Sequence, residues 1–231
     1  MRAMEKAKGF IELILIRHGE SQSTLDMVVG GHLGCRGLSS FGMTQSLELG
    51  EFLSSKFSTI SSSRVVASSI LRTTQTAQLA IGIDPSVIER LCGLCEIDPG
   101  EDDGKAWANL SLVEVKIDSA IGPGGESIVQ MYDRVDLCLG ELLAEASNAL
   151  LAAGQDAREG PTFVFTHRGP ISSAYAICKG TGVTSLKQYV IETASVHSLL
   201  VCRDSIEGAR TPRLSSFLGA NIQEIYPVHA R

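Results

Sequence analysis

The sequence has no run of lysine or arginine residues and no long apolar stretch, and both absences narrow its function. With 20 Lys and Arg against 26 Asp and Glu, the 231-residue chain carries a formal net charge of -6. Bulk binding of nucleic acid needs a basic surface to neutralise phosphates, so we expect no nucleic acid partner. The apolar stretches are too short for a transmembrane helix or a signal-peptide core. We therefore expect no membrane partner and a cytoplasmic protein.

The sequence also lacks the cysteine pattern of a disulfide framework or of a complete zinc motif. Its 6 cysteines are scattered, and without a secretory signal they are expected to be reduced thiols. Cys92 and Cys95 have the C-x-x-C spacing of a redox pair or of half a metal site. A zinc site needs about two further ligands, and no second pair follows. We interpret the spacing as incidental and expect neither a metal nor a cofactor.

What the chain does contain is an alternation of short apolar strands and helical patterns. We predict strands within 13–16, 64–69, 87–91, 162–166, 189–192 and 196–201. We predict helices from Ser39 or Ser40 through Leu53, from about residue 70, over about 128–153, and after residue 170. We do not interpret the polar connector at 154–161 as a domain boundary, because the strand-end sequence motifs on its two sides are expected to form one site. The chain is therefore expected to be a single domain over 1–231, with its core at about 11–203.

The most informative stretch is the strand Leu13–Ile16, which ends abruptly in Arg17, His18 and a glycine. In open α/β sheets, loops beyond the carboxyl ends of strands hold the ligand. An imidazole there can act as nucleophile or base, and a guanidinium can bind two phosphate oxygens at once. This pairing favours an anionic substrate.

Two later strands end in similar loops. The strand within 64–69 runs through two serines into a helix whose first turn carries Arg72. Backbone N–H groups at a helix start bind anions, and an arginine there opposes the helix dipole, which indicates a compensating anion. The strand 162–166 ends in a second histidine, His167, followed by Arg168.

Arg17-His18-Gly19-Glu20-Ser21 after a strand resembles the signature of the histidine phosphatase superfamily, the phosphoglycerate mutase-like proteins. Three further blocks resemble the family in the expected order, at 70–77, 94–104 and 162–170. The resemblance implies an α/β three-layer sandwich with a mostly parallel central sheet flanked by helices. It also implies Glu96 as the proton donor, although Asp98 is close enough to compete. The neighbouring Glu101, Asp102 and Asp103 are expected to form a solvated acidic tip.

The same resemblance implies a set of roles for the site. Arg17 and Arg72 would clamp the phosphoryl oxygens, His18 would attack phosphorus, and His167 would donate a hydrogen bond to those oxygens. The expected catalytic residues are His18, Glu96, His167, Arg17 and Arg72. The expected substrate-binding residues are Arg17, Arg72, Thr24, Ser21 and Arg168.

Three positions depart from the family pattern. Thr24 and Thr193 stand where an asparagine is common, and Arg168 replaces a usual glycine, adding a cation at the pocket rim. His32 and Arg36 lie in or beside a predicted active-site loop and are either rim residues or solvated loop charges.

The leading hypothesis is a metal-independent phosphomonoesterase that acts on a small phosphorylated metabolite. A phosphoglycerate-type mutase is the first alternative, but the sequence at 23–31 lacks the tryptophan-containing pattern of such enzymes. A binding-only pseudo-phosphatase is disfavoured because both histidines and both arginines are kept. A metal site built from His18, His167 and Glu96 ranks last, because two arginines would repel the cation. The sequence is compatible with a homodimer and does not decide the oligomeric state.

Overall fold

The structure is a computed structural model that describes residues 9–110, 116–153, 160–207, 211–217 and 219–226. Most of the connector at 154–161 lies outside the described residues. The strands of the central sheet are β1 (Phe10–Arg17), β2 (Val65–Ala67), β3 (Glu89–Arg90), β4 (Thr162–Thr166), β5 (Val196–Cys202) and β6 (Asn221–Tyr226). The α-helices are α1 (Gln22–Leu25), α2 (Ser40–Lys56), α3 (Leu71–Ile81), α4 (Ile128–Ala153), α5 (Arg168–Lys179) and α6 (Arg203–Glu207).

The sheet is six-stranded and mixed, in the order β3-β2-β4-β1-β5-β6. β4 pairs with β1 and β2 in parallel, and β2 pairs in parallel with β3. β5 and β6 are antiparallel to their neighbours. The predicted α/β fold is therefore confirmed, with a parallel half that carries the predicted active-site loops. In that half, the carboxyl ends of β1, β2 and β4 meet at one edge of the sheet.

Helices cover both faces of the sheet because successive side chains of a strand point to opposite faces. Leu13 and Leu15 of β1 belong to one buried cluster, which packs against α4 and α5. Ile14 and Ile16 belong to a second cluster, which packs against α2 and α3. β1, which ends in the predicted site, is thus buried on both faces, and this packing positions its carboxyl end.

Side-chain caps define the starts of α2 and α4. Ser39 caps α2 and accepts a hydrogen bond from the Gly42 nitrogen at 2.9 Å. At the start of α4, the Ser127 hydroxyl accepts from the Gln130 nitrogen, and the Gln130 side chain accepts from the Ser127 nitrogen. This reciprocal pair is a capping box.

The prediction of a strand at 189–192 is wrong. The chain there follows a 3₁₀ helix, Val183–Gln188, and forms no strand. Val190 is 72% exposed, so an apolar pattern alone misled the prediction. Besides β1, the antiparallel neighbour of β5 is β6, which lies beyond residue 203 where no strand was predicted. β3 is also shorter than the predicted strand at 87–91, because Val87 ends a 3₁₀ turn that begins at Pro85 and Ile88 caps that turn.

No helix within the described ranges is both long enough and apolar enough to cross a membrane.

Candidate active site

The two predicted catalytic histidines lie side by side because their strands are parallel neighbours. Arg17 of β1 is in register with Thr166 of β4, so His18 and His167 each follow directly. The backbone nitrogen of His18 donates to the Thr166 carbonyl at 3.1 Å. The two imidazole rings lie edge to face, with centroids 5.0 Å apart and an interplanar angle of 65°.

The hydrogen bonds of His18 define its tautomer. Nδ1 lies 2.6 Å from the Gly19 carbonyl oxygen, which can only accept, so Nδ1 carries the proton. Nε2 then holds a lone pair and accepts from Nε of Arg72 at 2.9 Å. The unprotonated nitrogen therefore faces the predicted phosphate clamp, as a nucleophile requires.

Arg72, in the first turn of α3, donates hydrogen bonds to both histidines and to a neighbouring loop. Its Nη2 donates to Nδ1 of His167 at 3.0 Å, and its Nη1 donates to the Gly30 carbonyl at 2.6 Å. The residue is buried, with 5% of its surface exposed. One guanidinium thus holds both histidines and the loop after α1 in fixed positions.

His167 has the opposite tautomer. Because Nδ1 accepts from Arg72, the proton sits on Nε2, which donates to the Ser68 hydroxyl at 2.7 Å. Ser68 lies directly after β2, which is the other parallel neighbour of β4. The sequence shows the serine at a strand end, but its partnership with His167 depends on the strand order.

Both histidines are held neutral. Burial lowers the pKa of His18 well below its ordinary value of 6.5, and the nearby charges of Arg72 and Arg17 lower it further. Burial also lowers the pKa of His167 well below the ordinary value, again with help from Arg72. His18 therefore keeps its nucleophilic lone pair at neutral pH.

Arg17 reaches the site from the end of β1. Its Nη1 donates to the Ile191 carbonyl. Its Nε is buried and has no hydrogen-bond partner among the residues that the structure describes. Burial lowers the pKa of Arg17 from its ordinary value, while Glu96 raises it. A guanidinium nonetheless stays charged at neutral pH, so this is a buried donor suited to an anion.

Glu96 and Asp98 have different surroundings. Glu96 lines the cavity next to His18 and Arg17, and its Oε2 accepts from the Gly169 nitrogen at 3.1 Å. Asp98 is exposed and accepts from the Gly100 nitrogen in a local turn. Of the two competing carboxylates, only Glu96 is placed to reach a ligand in this cavity.

The cavity has a volume of about 290 Å³. Its polar side is formed by Arg17, His18, Arg72 and Glu96, together with Ser21 and Thr24. The Ser21 hydroxyl caps α1 and lies 2.9 Å from the Thr24 hydroxyl. Its apolar lining comprises Val28, Val29, Ile97, Pro99, Trp107 and Ile121. The size and the mixed lining suit a small ligand with one strongly anionic end.

The remaining rim candidates lie outside this lining. Arg168 is exposed at the start of α5 and influences Arg17 only through its charge. Arg36 forms an exposed ion pair with Asp26 at 2.6 Å. His32 is exposed, and its Nε2 lies 3.7 Å from the Cys92 sulfur.

The predicted acidic tip at 101–103 is not simply solvated. The Asp103 carboxylate accepts from the backbone nitrogens of Gly31, Leu33 and Gly34 at 2.8, 2.7 and 2.9 Å. It therefore organises the glycine-rich loop at 30–37, whose first two residues, Gly30 and Gly31, line the cavity. Sequence reasoning missed this role, because the acidic residues are about seventy positions from the loop.

Other side chains that position the His18 loop were also missed. Gln45 accepts from the Glu20 nitrogen at 2.8 Å and donates to the Thr193 hydroxyl at 3.0 Å. The Thr76 hydroxyl accepts from the Gly19 nitrogen at 3.1 Å. Gly19 itself approaches α2 so closely that a Cβ would lie 2.5 Å from a backbone oxygen. Hydrogen bonds from side chains of α2 and α3 thus hold the His18 loop in position.

The comparison with family models decides the family. The model of the histidine phosphatase superfamily (branch 1) matches residues 13–210. The chain belongs to this superfamily. A search of curated proteins with the sequence found no significant match.

Solved structures of histidine phosphatase type share the fold. A mycobacterial hydrolase is 21% identical, with a TM-score of 0.68 over 94% of this chain and 97% of the other. A mycobacterial glucosyl-3-phosphoglycerate phosphatase solved with vanadate is 21% identical, with a TM-score of 0.68 over 93% and 97% of the two chains. A phosphoserine phosphatase from Entamoeba histolytica is 18% identical, with a TM-score of 0.63 over 82% and 90%. The superfamily fold thus extends over most of this chain.

Proposed function

We propose that this protein is a phosphomonoesterase that hydrolyses a small phosphorylated metabolite through a phosphohistidine at His18. The observation that carries the proposal is the position of Arg72. It donates to both His18 and His167 beside a cavity that Arg17 and Glu96 also line.

Substrate binding would satisfy the buried donors. The phosphoryl group of a monoester is an anion with three terminal oxygens, and Arg17 has a buried Nε without a partner in the described residues. Arg72 would shift its Nε–H from the lone pair of His18 to a phosphoryl oxygen. This exchange frees Nε2 for attack and places two cations on the charge that develops during transfer.

The first chemical step would form a P–N bond and break the P–O ester bond. His18 attacks through Nε2. Its Nδ1–H keeps donating to the Gly19 carbonyl, which stabilises the cationic ring. His167, which Arg72 holds next to His18, would lie beside the same phosphoryl group. The dianion would favour a second proton on its ring, so that its Nδ1 could donate instead of accept.

Glu96 would move the protons. In its acid form it protonates the leaving alkoxide, and as a carboxylate it then takes a proton from the attacking water. Water forms the new P–O bond, the P–N bond breaks, and inorganic phosphate leaves. The backbone bonds from Ile97 and Gly169 hold the carboxylate in place for both steps.

These steps need no metal ion. A cation between His18 and His167 would lie against the guanidinium of Arg72. That guanidinium already donates to Nε2 of His18 and Nδ1 of His167, the nitrogens that would have to bind the ion. The repulsion and the loss of these hydrogen bonds disfavour such a site.

The decisive test combines a substrate panel with trapping of the intermediate. The panel comprises phosphorylated sugars, phosphoserine, phosphoglycerates and an aryl phosphate. Two structural neighbours are named as phosphatases of small metabolites of this kind. We expect phosphate release, a phosphohistidine at residue 18 after an alkaline quench, and loss of both in His18→Ala. Formation of the phosphohistidine should persist in the presence of a chelator.

Other outcomes separate the alternatives. Interconversion of phosphoglycerate isomers without phosphate release would indicate a mutase. Binding of phosphorylated ligands without turnover, unchanged by His18→Ala, would indicate a binding-only protein. Either result would overturn the hydrolase proposal.

A further inference from the structure

Three side chains with metal-binding atoms converge next to the active-site cavity but outside its lining. His32 comes from the glycine-rich loop, and Cys92 and Cys95 come from the 3₁₀ turn after β3 and its end. Their ligand atoms lie within 4.8 Å of one another. The Nε2 atom of His32 lies 3.7 Å from the Cys92 sulfur.

The spacing fits a tetrahedral zinc site. With Zn–S and Zn–N bonds of about 2.3 and 2.0 Å, tetrahedral angles place sulfur and nitrogen ligands about 3.5 Å apart. The Cys92–His32 separation is close to this value. His32 and Cys92 are exposed whereas Cys95 is buried, so an ion would have a closed inner side and a fourth position open to water.

The C-x-x-C turn is held in place before any ion binds. Nη1 of Arg134 donates to the carbonyls of Cys92, Gly93 and Cys95 at 3.1, 2.9 and 3.2 Å. The same guanidinium is anchored by Glu126 at 2.7 Å. Two thiolates neutralise a divalent cation, so a bound Zn²⁺ would place no net positive charge beside Arg134.

We propose that His32, Cys92 and Cys95 form a zinc site, with water as the fourth ligand. On binding, both thiols lose their protons to solvent and each forms a Zn–S bond, while the neutral imidazole supplies Nε2. Thiolates favour zinc over magnesium or calcium, which prefer oxygen ligands.

The site would join two walls of the cavity. Gly31, which precedes His32, and Glu96, which follows Cys95, both line the cavity. A bound ion would fix the distance between the glycine-rich loop and the segment that carries Glu96. Zinc at this position would be structural and would take no part in phosphoryl transfer.

Metal binding is measured directly, so the result does not depend on the proposed phosphatase activity. The full-length protein, reduced and metal-free, is titrated with Zn²⁺ against a chromophoric chelator. Co²⁺ then reports ligand type through thiolate charge-transfer and tetrahedral ligand-field absorption. The variants are His32→Ala and Cys92→Ser, both at exposed positions. Cys35→Ser, in the same loop as His32, is the matched control.

We expect one zinc ion per chain in the wild type and in Cys35→Ser, with a tetrahedral cobalt spectrum that contains thiolate bands. Each ligand variant should bind zinc at least about 100-fold more weakly, because even partners beyond the ligands contribute up to that factor. Far-UV circular dichroism checks that the variants remain folded.

Three results would overturn the proposal. One is the absence of stoichiometric zinc binding by the reduced wild type. Another is binding that both ligand variants retain. The third is a Cys92–Cys95 disulfide that persists in reducing buffer, which would make the pair a redox element.

Discussion

The backbone nitrogen of Gly169 donates to Oε2 of Glu96 at 3.1 Å, and a Cβ atom at Gly169 would overlap Oε1 of the same carboxylate. The glycine that follows Arg168 thus both anchors the predicted acid and leaves room for it. Because the obstructing atom is the end of a flexible side chain, a larger residue would displace Glu96 more readily than the backbone. The second close atom is Sδ of Met131, which is also a flexible end.

Gly169→Ala should therefore fold and lose general acid catalysis. For alkyl phosphates we expect kcat to fall by about 10²- to 10⁴-fold, the usual contribution of a positioned acid. For an aryl phosphate, whose leaving group needs no proton, the fall should be much smaller. Steady-state kinetics on both substrate types measure the difference. Equal losses on both would mean that Gly169 does not act through Glu96.

Glu96→Gln should show the same dependence on the leaving group, and Asp98→Asn should not. Only Glu96 lines the cavity, whereas Asp98 accepts within its own turn. The Gly169→Ala/Glu96→Gln double variant should have the kcat of Glu96→Gln alone, because both changes remove one function. Additive losses, or a loss of activity in Asp98→Asn comparable to that of Glu96→Gln, would contradict the assignment.

Arg72→Lys should lower kcat by about 10²- to 10³-fold, similar to the loss of a donor in an oxyanion site. The ammonium keeps the charge but cannot donate at once to His18, His167 and the Gly30 carbonyl. Arg90→Lys, at an exposed position of β3, is the control for the substitution itself. Activity near that of the wild type in Arg72→Lys would show that charge alone suffices.

Asp103→Asn should loosen the cavity wall. An amide offers one acceptor oxygen to the three backbone N–H groups that the carboxylate now satisfies, so we expect a destabilisation of about 1–3 kcal/mol and a higher KM. Asp102→Asn removes only an exposed pair with Lys105 and should cost less than about 1 kcal/mol. Urea unfolding and KM measurements compare the two. Equal effects would mean that the backbone bonds to Asp103 contribute little.

The free energy of unfolding should decrease as the pH falls below about 6.5. Burial depresses the pKa values of His18 and His167, and it lowers the pKa of His197 to about 4. The unfolded chain protonates these imidazoles near 6.5 while the folded protein does not, so unfolding takes up protons. Each of these imidazoles lowers the free energy of unfolding by up to about 1.4 kcal/mol per pH unit, until the pH reaches its pKa in the folded protein.

Urea unfolding at pH values from 7 to 5 measures this slope. His197 contacts Tyr175 and Ser195 in the interior and plays no part in the proposed chemistry. His197→Gln should therefore reduce the slope by about one third, since it removes one of three such groups. A stability that does not change between pH 6.5 and pH 5 would mean that these histidines protonate freely in the folded protein.

The sequence alone determined the family and the α/β fold, and it predicted the four site residues Arg17, His18, Arg72 and His167, which the structure brings together. These predictions rest on local patterns, since apolar strands end where the charged residues begin, and parallel strands share one carboxyl edge. Glu96 was implied by the resemblance of the segment 94–104 to the family, and its role as proton donor stays a prediction.

Only the tertiary structure decided which distant side chains meet. It placed β6 against β5, Asp103 under the glycine-rich loop, Ser68 against His167, and His32 beside Cys92, sixty residues away. No local pattern encodes these contacts, because they depend on strand order and on how loops pack across the edge of the sheet. The C-x-x-C pair appeared incidental in the sequence because its third potential ligand reaches it only through the fold.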